Sequence, residues 1–153
     1  MSKRRIVKTY SNTRAKGERY DIEGNRYFVK VELVSIKMLE EADALGRTSE
    51  IYLECGKSKM ISKRFPTKGE IHLDRNEVFK PRGRITLYTE VAESDKGGSI
   101  EIPFKVKDKD FGKDETLIDT TLSVTLGQTQ EFLAFEENGV KVKISIAGNK
   151  TRY

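Results

Sequence analysis

Residues 100–107 read IEIPFKVK and residues 138–146 read NGVKVKISI, and these two stretches decide the fold. In both, apolar and polar residues alternate with a period of two, which is typical of a strand with one face against a core. Asn138-Gly139 opens the second stretch, and this dipeptide favours a tight hairpin because both residues tolerate a positive φ. The two stretches therefore predict β-strands rather than helices.

Similar short apolar runs, rich in β-branched residues and separated by turn residues, continue from Tyr27 to the C-terminus. They predict eight strands, at about 27–39, 50–55, 58–65, 84–92, 99–108, 119–126, 130–135 and 140–147. Many short strands at regular spacing favour an all-β fold, an eight-stranded antiparallel β-sandwich. Residues 38–45 are predicted to form one short helical turn, and Phe104, Phe132 and Phe135 are predicted core residues.

The composition argues against several classes of protein. A chain of 153 residues with 36% hydrophobic content suits one domain with a modest core. No apolar run approaches about 18 residues, and the N-terminus lacks an apolar signal segment, so we expect a cytoplasmic protein. A single cysteine, Cys55, excludes an internal disulfide and a cysteine-based zinc site. With His72 as the only histidine and no nucleophile–base pair, we expect no enzymatic activity.

The net charge of +5 lies in the first 26 residues, which hold eight basic and three acidic side chains. Residues 27–153 are neutral, with 21 of each sign. We therefore predict a basic, flexible tail over residues 1–26, a folded body over 27–147 and a short C-terminal tail over 148–153. The tail suits an anionic lipid surface, an acidic protein, a cytoskeletal filament or nucleic acid, or it is a solubilising extension. Sequence-specific nucleic-acid binding is not indicated, because no folded reading surface is predicted. The candidate partner-binding cations of the tail are Lys3, Arg4, Arg5, Lys8, Arg14, Lys16 and Arg19.

Two acidic segments directly follow predicted strands, at residues 40–46 and 108–114. Clustered carboxylates repel one another, so a cluster is stable only with a counter-cation or with solvent between the charges. Flexible loops of oxygen ligands suit calcium, which takes about six to eight oxygens. The alternative is a solvated turn whose aspartates accept hydrogen bonds from local backbone N–H groups. Both interpretations stay open.

Four stretches of the sequence, taken in chain order, resemble segments of the C2 domain, a calcium- and phospholipid-binding module. Residues 29–39 resemble its opening strand, 43–53 its first calcium loop and the segment beyond, 106–118 its third loop, and 138–146 its last strand. The resemblance covers about residues 27–147 and implies a C2-like sandwich. Because the closing strand lies at the C-terminus with no copy before Tyr27, it implies the permuted topology called type II.

The resemblance also implies site residues. Glu50 and Ile51 depart from the family's Asp-Pro, and the loop between Asp110 and Asp114 is shorter than is common. The positions that correspond to calcium ligands are Asp43, Glu50, Asp108, Asp110 and Asp114. The positions that correspond to lipid-binding cations and apolar loop tips are Lys57, Lys59, Lys63, Arg64, Lys68, Leu45 and Phe111. An ordinary solvated sheet face is the alternative for these lysines.

The leading hypothesis is a non-enzymatic C2-like module that docks on anionic phospholipid membranes, with calcium bridging its acidic loops to phosphate. The rival hypothesis is a calcium-independent structural adaptor that binds another protein, such as a cytoskeletal filament, through its sandwich and basic tail. The expected location is the cytoplasm, at a membrane periphery or on the cytoskeleton.

Overall fold

The computed structural model describes residues 5–10, 18–23, 25–40, 48–56, 63–110 and 112–151. Within these ranges the chain forms twelve β-strands and no helix. The strands are β1 (Arg5–Tyr10), β2 (Glu18–Glu23), β3 (Asn25–Met38), β4 (Ser49–Cys55), β5 (Lys63–Phe65), β6 (Ile71–Leu73), β7 (Val78–Phe79), β8 (Ile85–Ser94), β9 (Ser99–Asp108), β10 (Glu115–Thr125), β11 (Glu131–Glu137) and β12 (Val140–Lys150). Most of the helical turn predicted at residues 38–45 lies outside the described residues.

Ten of these strands make two antiparallel five-stranded sheets that pack as a sandwich. Sheet I has the order β10-β9-β4-β5, with β6 also paired to β4. Sheet II has the order β11-β12-β3-β7, with β8 also paired to β3. The predicted all-β sandwich is confirmed, with ten strands instead of eight because the short strands β6 and β7 were not predicted. The closing strand β12 lies beside β3, the first strand of the sandwich, as the type II permutation requires.

The alternation in the two deciding stretches places one face of each strand in the core. Ile102, Phe104 and Val106 of β9 are fully buried, and so are the valines and isoleucines of β12. Phe135 is half-buried, with its ring centroid 6.2 Å from that of Phe104. The prediction for Phe132 is wrong, since its side chain is 47% exposed. Phe132 pairs with Ser145, which alternates with core residues of β12 and so lies on the outer face of sheet II, although it is only 2% exposed. Phe135 pairs with the core residue Val142.

The ends of the chain differ from the predicted tails. Strands β1 and β2 form a separate antiparallel pair, from Arg5 opposite Glu23 to Tyr10 opposite Glu18, within the predicted flexible segment. Whether residues 1–26 are flexible stays a prediction. At the other end, β12 continues to Lys150, which pairs with Tyr27 of β3. Residues 148–150 are therefore part of sheet II.

Gly148 shows how closely the two sheets approach at this point. A Cβ atom on Gly148 would lie 2.7 Å from the carbonyl oxygen of Thr125, which belongs to sheet I. The Gly148 carbonyl accepts a hydrogen bond from Gly127 N–H, at 2.6 Å. Glycine therefore fits where a larger residue would push the backbones apart.

One end of the sandwich, called the loop end below, is where the strands that flank the two predicted acidic segments begin or end. There β3 ends at Met38, β4 begins at Ser49, and β9 ends at Asp108. The β11–β12 turn joins this end through Asn138, whose side-chain amide donates to the Leu117 carbonyl at 2.7 Å. The described part of the chain contains no helix long and apolar enough to cross a bilayer.

Candidate functional site: the acidic loop end and the two charged faces

Strands β4 and β9 bring Glu50 and Asp108 together at the loop end. The Asp108 carboxylate accepts a hydrogen bond from the Glu50 backbone N–H at 2.9 Å. The Lys109 N–H donates in turn to the Glu50 carbonyl at 2.8 Å. The two residues thus meet through the Glu50 main chain, and one oxygen of Asp108 satisfies a backbone donor.

Asp108 is a buried carboxylate, with only 7% of its surface exposed. Burial raises its pKa above the ordinary aspartate value, and the hydrogen bond from Glu50 N–H opposes this shift. The nearby carboxylates of Glu115 and Asp110 raise it further. The negative charge of Asp108 therefore carries an electrostatic cost in the fold.

Asp114 lies at the end of the loop between β9 and β10 and connects this loop to the outer face of sheet I. Its carboxylate accepts a hydrogen bond from the Tyr52 hydroxyl and a second from the Asp110 backbone N–H at 3.2 Å. The bond from Tyr52 holds the pKa of Asp114 below its usual value. Burial and Asp114 together raise the pKa of Tyr52 well above the ordinary tyrosine value. Tyr52 is a site residue that the sequence did not reveal, because 62 positions separate it from its partner.

Hydrogen bonds within the chain already engage carboxylate oxygens at the loop end. Calcium needs about six to eight oxygens, but Asp108 and Asp114 already accept hydrogen bonds from Glu50, Asp110 and Tyr52. No group of three or more His, Cys, Asp or Glu suited to a metal forms among the described residues. Asp43 lies outside the described residues. In the described part of the loop end, Asp108 and Asp114 accept hydrogen bonds from within the chain, and calcium binding at the five candidate positions stays a prediction.

Arg64, a predicted lipid-binding residue, makes several contacts with other residues of the chain. Its guanidinium stacks over the Tyr52 ring, 4.1 Å from the centroid. It also donates to the Pro66 and Gly69 carbonyls, at 2.6 and 2.7 Å, and to the Glu70 carboxylate at 2.9 Å. Arg64 therefore holds the turn between β5 and β6 against sheet I.

The other predicted surface residues are distributed unevenly. Lys63 and Lys68 are exposed. Arg5, Lys8 and Arg19 lie in β1 and β2. Outside the described residues are Lys3, Arg4, Arg14, Lys16, Leu45, Lys57, Lys59 and Phe111. Of the predicted lipid-binding set, only Lys63, Arg64 and Lys68 lie within the described residues, so that assignment stays a prediction.

On the side of sheet I, Lys105, Lys107 and Lys109 lie beside carboxylates. Lys105 is directly opposite Glu54 in the strand register, and Lys107 Nζ lies 3.3 Å from a Glu54 oxygen. At the loop end, Lys109 Nζ lies 3.8 Å from a Glu70 oxygen. This face is therefore a mixture of paired charges.

The outer face of sheet II is different. Lys37 of β3 lies directly opposite Lys141 of β12, and Lys143 is exposed two residues further along the same strand. The exposed Phe132 ring has Arg84 Cζ 4.9 Å and Lys143 Nζ 5.9 Å from its centroid. Lys37, Arg84, Lys141 and Lys143, together with Phe132, are called the cationic face below.

Sequence comparisons find no protein-family model and no curated protein that matches this chain. Comparison of structures does find similar folds. A C2 domain of plant extended synaptotagmin 1 aligns with 83% of this chain and 97% of its own, at 15% identity and a TM-score of 0.50. Human GIVD cytosolic phospholipase A2 aligns with 84% of this chain and 18% of its own, at 15% identity and a TM-score of 0.54. The chain therefore has the C2-domain fold, as the resemblance implied.

Proposed function

We propose that this protein is a non-enzymatic module that docks on anionic phospholipid membranes. The observation that carries the proposal is the combination of a C2-domain fold with a net charge of +5. A cation near an anionic membrane surface contributes about 1 kcal/mol to binding, so a modest positive excess is enough for reversible docking. The fold alone is an analogy, and the charge supplies the physical attraction.

The proposed docking does not require calcium. This part of the proposal is supported by the hydrogen bonds at the loop end, where Asp108 and Asp114 accept from Glu50 N–H and the Tyr52 hydroxyl. A cation that took Asp108 Oδ1 and Asp114 Oδ2 away from these donors would leave a backbone N–H and a hydroxyl without their partners, which opposes binding. In this scheme the aspartates shape the loop end, and positive side chains elsewhere meet the lipid.

Co-sedimentation of the full chain with vesicles tests this function. We expect binding to phosphatidylserine-containing vesicles, little binding to pure phosphatidylcholine vesicles, and the same bound fraction in calcium and in chelator. Binding that disappears in chelator would overturn the calcium-independent part. Absence of binding to phosphatidylserine at low ionic strength would overturn the membrane function itself.

A second candidate, a structural adaptor for another protein, is favoured by the separate sheet of β1 and β2. A two-stranded sheet is marginally stable in water, and this one pairs with no other strand in the described ranges. A strand from a partner protein would complete its hydrogen bonding. Co-sedimentation with purified actin filaments or microtubules, combined with no binding to vesicles, would favour the adaptor over the membrane module.

A further inference from the structure

We propose that the cationic face of sheet II is the surface that lies against the lipid headgroups, which rests on the membrane function proposed above. This assignment differs from the one that the family resemblance implies, which places the lipid-binding cations on and around β5. It makes the long pair β3 and β12, together with the edge strand β11, the docking surface. The phosphate-bearing headgroups of an anionic bilayer are the occupant.

The register of β3 and β12 supplies the first argument. Lys37 and Lys141 are directly paired, and directly paired side chains in an antiparallel sheet have Cβ atoms only about 4.5–5.5 Å apart. Neither lysine makes an ion pair with another described residue within 4.0 Å. Like charges at this separation repel, and an anionic surface would relieve the repulsion.

Phe132 supplies the second argument. A 47% exposed phenylalanine on a sheet face is apolar surface that water solvates poorly. Arg84 and Lys143 flank its ring at 4.9 and 5.9 Å. An apolar ring surrounded by cations matches a membrane interface, where apolar groups enter the acyl boundary while the charges remain among the headgroups.

The carboxylates on this side of sheet II do not cancel the charge. Glu32 is neutralised by Lys30 Nζ at 3.3 Å and Arg84 at 3.9 Å. Glu136 lies beside Lys141 in the register of β11 and β12. Arg84 is shared with Glu32, and Lys141 lies opposite Glu136, so Lys37 and Lys143 are the cations of this face without a carboxylate opposite them among the described residues. On sheet I, Lys105 and Lys107 both lie against Glu54.

A lipid surface fits this face better than a nucleic acid does. Single-stranded nucleic acids bind on a series of aromatic side chains that stack with successive bases. Phe132 is the one aromatic ring that the described cations of this face flank, and Phe28, 37% exposed, lies near the other end of β3. Cations spread over a broad sheet, with one apolar contact, match a planar array of phosphates.

A matched pair of double variants in the full chain tests the assignment. Lys141→Gln with Lys143→Gln neutralises two cations on β12, and Lys105→Gln with Lys107→Gln neutralises two at the same spacing on β9. We expect the first to weaken binding to phosphatidylserine vesicles about thirtyfold, since each cation contributes roughly a fivefold factor, and the second less than about fivefold. Equal losses, or a larger loss from the β9 pair, would overturn the assignment.

A fluorescence experiment reports the orientation directly, because the chain contains no tryptophan. Phe132→Trp places a reporter on the cationic face, and Thr121→Trp places one at an exposed position of β10 in sheet I. We expect vesicles to shift the Phe132→Trp emission to the blue and brominated lipids to quench it, with neither change for Thr121→Trp. The reverse pattern would overturn the assignment.

The outcomes separate this inference from the function on which it rests. If the unaltered chain does not bind anionic vesicles, the membrane function fails. If the chain binds vesicles but the emission of the Phe132→Trp variant does not respond, only the cationic face is excluded as the docking surface. If the β12 variants weaken binding to a single-stranded oligonucleotide and not to vesicles, nucleic acid replaces lipid and the inference is overturned.

Discussion

Substitution of Asp108 separates the two roles that its side chain can have, hydrogen-bond acceptor and negative charge. Asp108 is 7% exposed and accepts from Glu50 N–H at 2.9 Å. Asp108→Ala removes the acceptor and leaves the partly buried Glu50 N–H unpaired, which costs about 1–3 kcal/mol. Because about 1 kcal/mol shifts the melting temperature of a domain of this size by about 2–4 °C, we expect a decrease of roughly 2–12 °C. Asp108→Asn keeps an acceptor and removes the charge.

For Asp108→Asn we expect a stability within about 0.5 kcal/mol of the unaltered protein or higher at neutral pH. The reason is that burial raises the pKa of Asp108, so ionisation of this side chain opposes folding. A carboxyl with a raised folded pKa stabilises the fold below its unfolded pKa, about 3.9, and this contribution is lost as pH rises through the folded value. The advantage of Asn over Asp should therefore grow from about pH 4 towards neutrality.

Thermal and urea unfolding of both variants in chelator, over this pH range, provide the measurement. Unchanged vesicle binding by Asp108→Asn would agree with an aspartate that shapes the loop end. If Asp108→Asn loses as much stability as Asp108→Ala, or abolishes vesicle binding, the charge itself is required and the reasoning is refuted.

Three further substitutions test other parts of the structure. Tyr52→Phe should cost about 1 kcal/mol at neutral pH, because the hydrogen bond to Asp114 is lost. This cost should shrink below about pH 4, because the lowered pKa of Asp114 stabilises the fold only above the pKa of this side chain in the unfolded chain. A cost that does not change with pH in urea titrations would contradict this. Arg64→Ala should lower the melting temperature, because the stacking on Tyr52 and the hydrogen bonds are lost. It should weaken vesicle binding less than about fivefold. A larger loss of binding at unchanged stability would make Arg64 a lipid ligand. Gly148→Ala should cost about 1–3 kcal/mol of stability, because the added Cβ would meet the Thr125 carbonyl. Gly83 has open space around it, so Gly83→Ala should change stability by less than about 0.5 kcal/mol. Equal effects of the two substitutions in thermal unfolding would contradict the packing at Gly148.

The sandwich was predictable because its interior strands alternate cleanly. In β9 and β12 every second side chain is apolar, so the pattern by itself separates core from solvent. Residues 131–137 lack this alternation, since Phe132, Leu133, Ala134 and Phe135 are consecutive. Only the register with β12 decides that Phe135 faces the core and Phe132 faces solvent. A single sequence does not contain that register.

For the candidate site, the sequence predicted which acidic residues are candidates but not which contacts they make. The sequence marked Glu50, Asp108 and Asp114 as acidic candidates, and the structure places these three at the loop end. Their hydrogen bonds were not predictable, because Tyr52 and Asp114, or Glu50 and Asp108, meet only through pairing of β4 with β9. The same holds for the cationic face: Lys37 and Lys141 are 104 positions apart in the chain and become neighbours only when β12 closes sheet II.

The most direct test of the central claim is the partition of the full chain onto phosphatidylserine vesicles, measured in chelator over a series of salt concentrations. Screening shortens the range of electrostatic attraction from about 10 Å at about 0.1 M salt to about 3 Å at about 1 M. Electrostatic docking without calcium predicts strong binding at low salt that falls steadily as salt is added. Binding that is absent in chelator at every salt concentration, and that returns with calcium, would contradict the account.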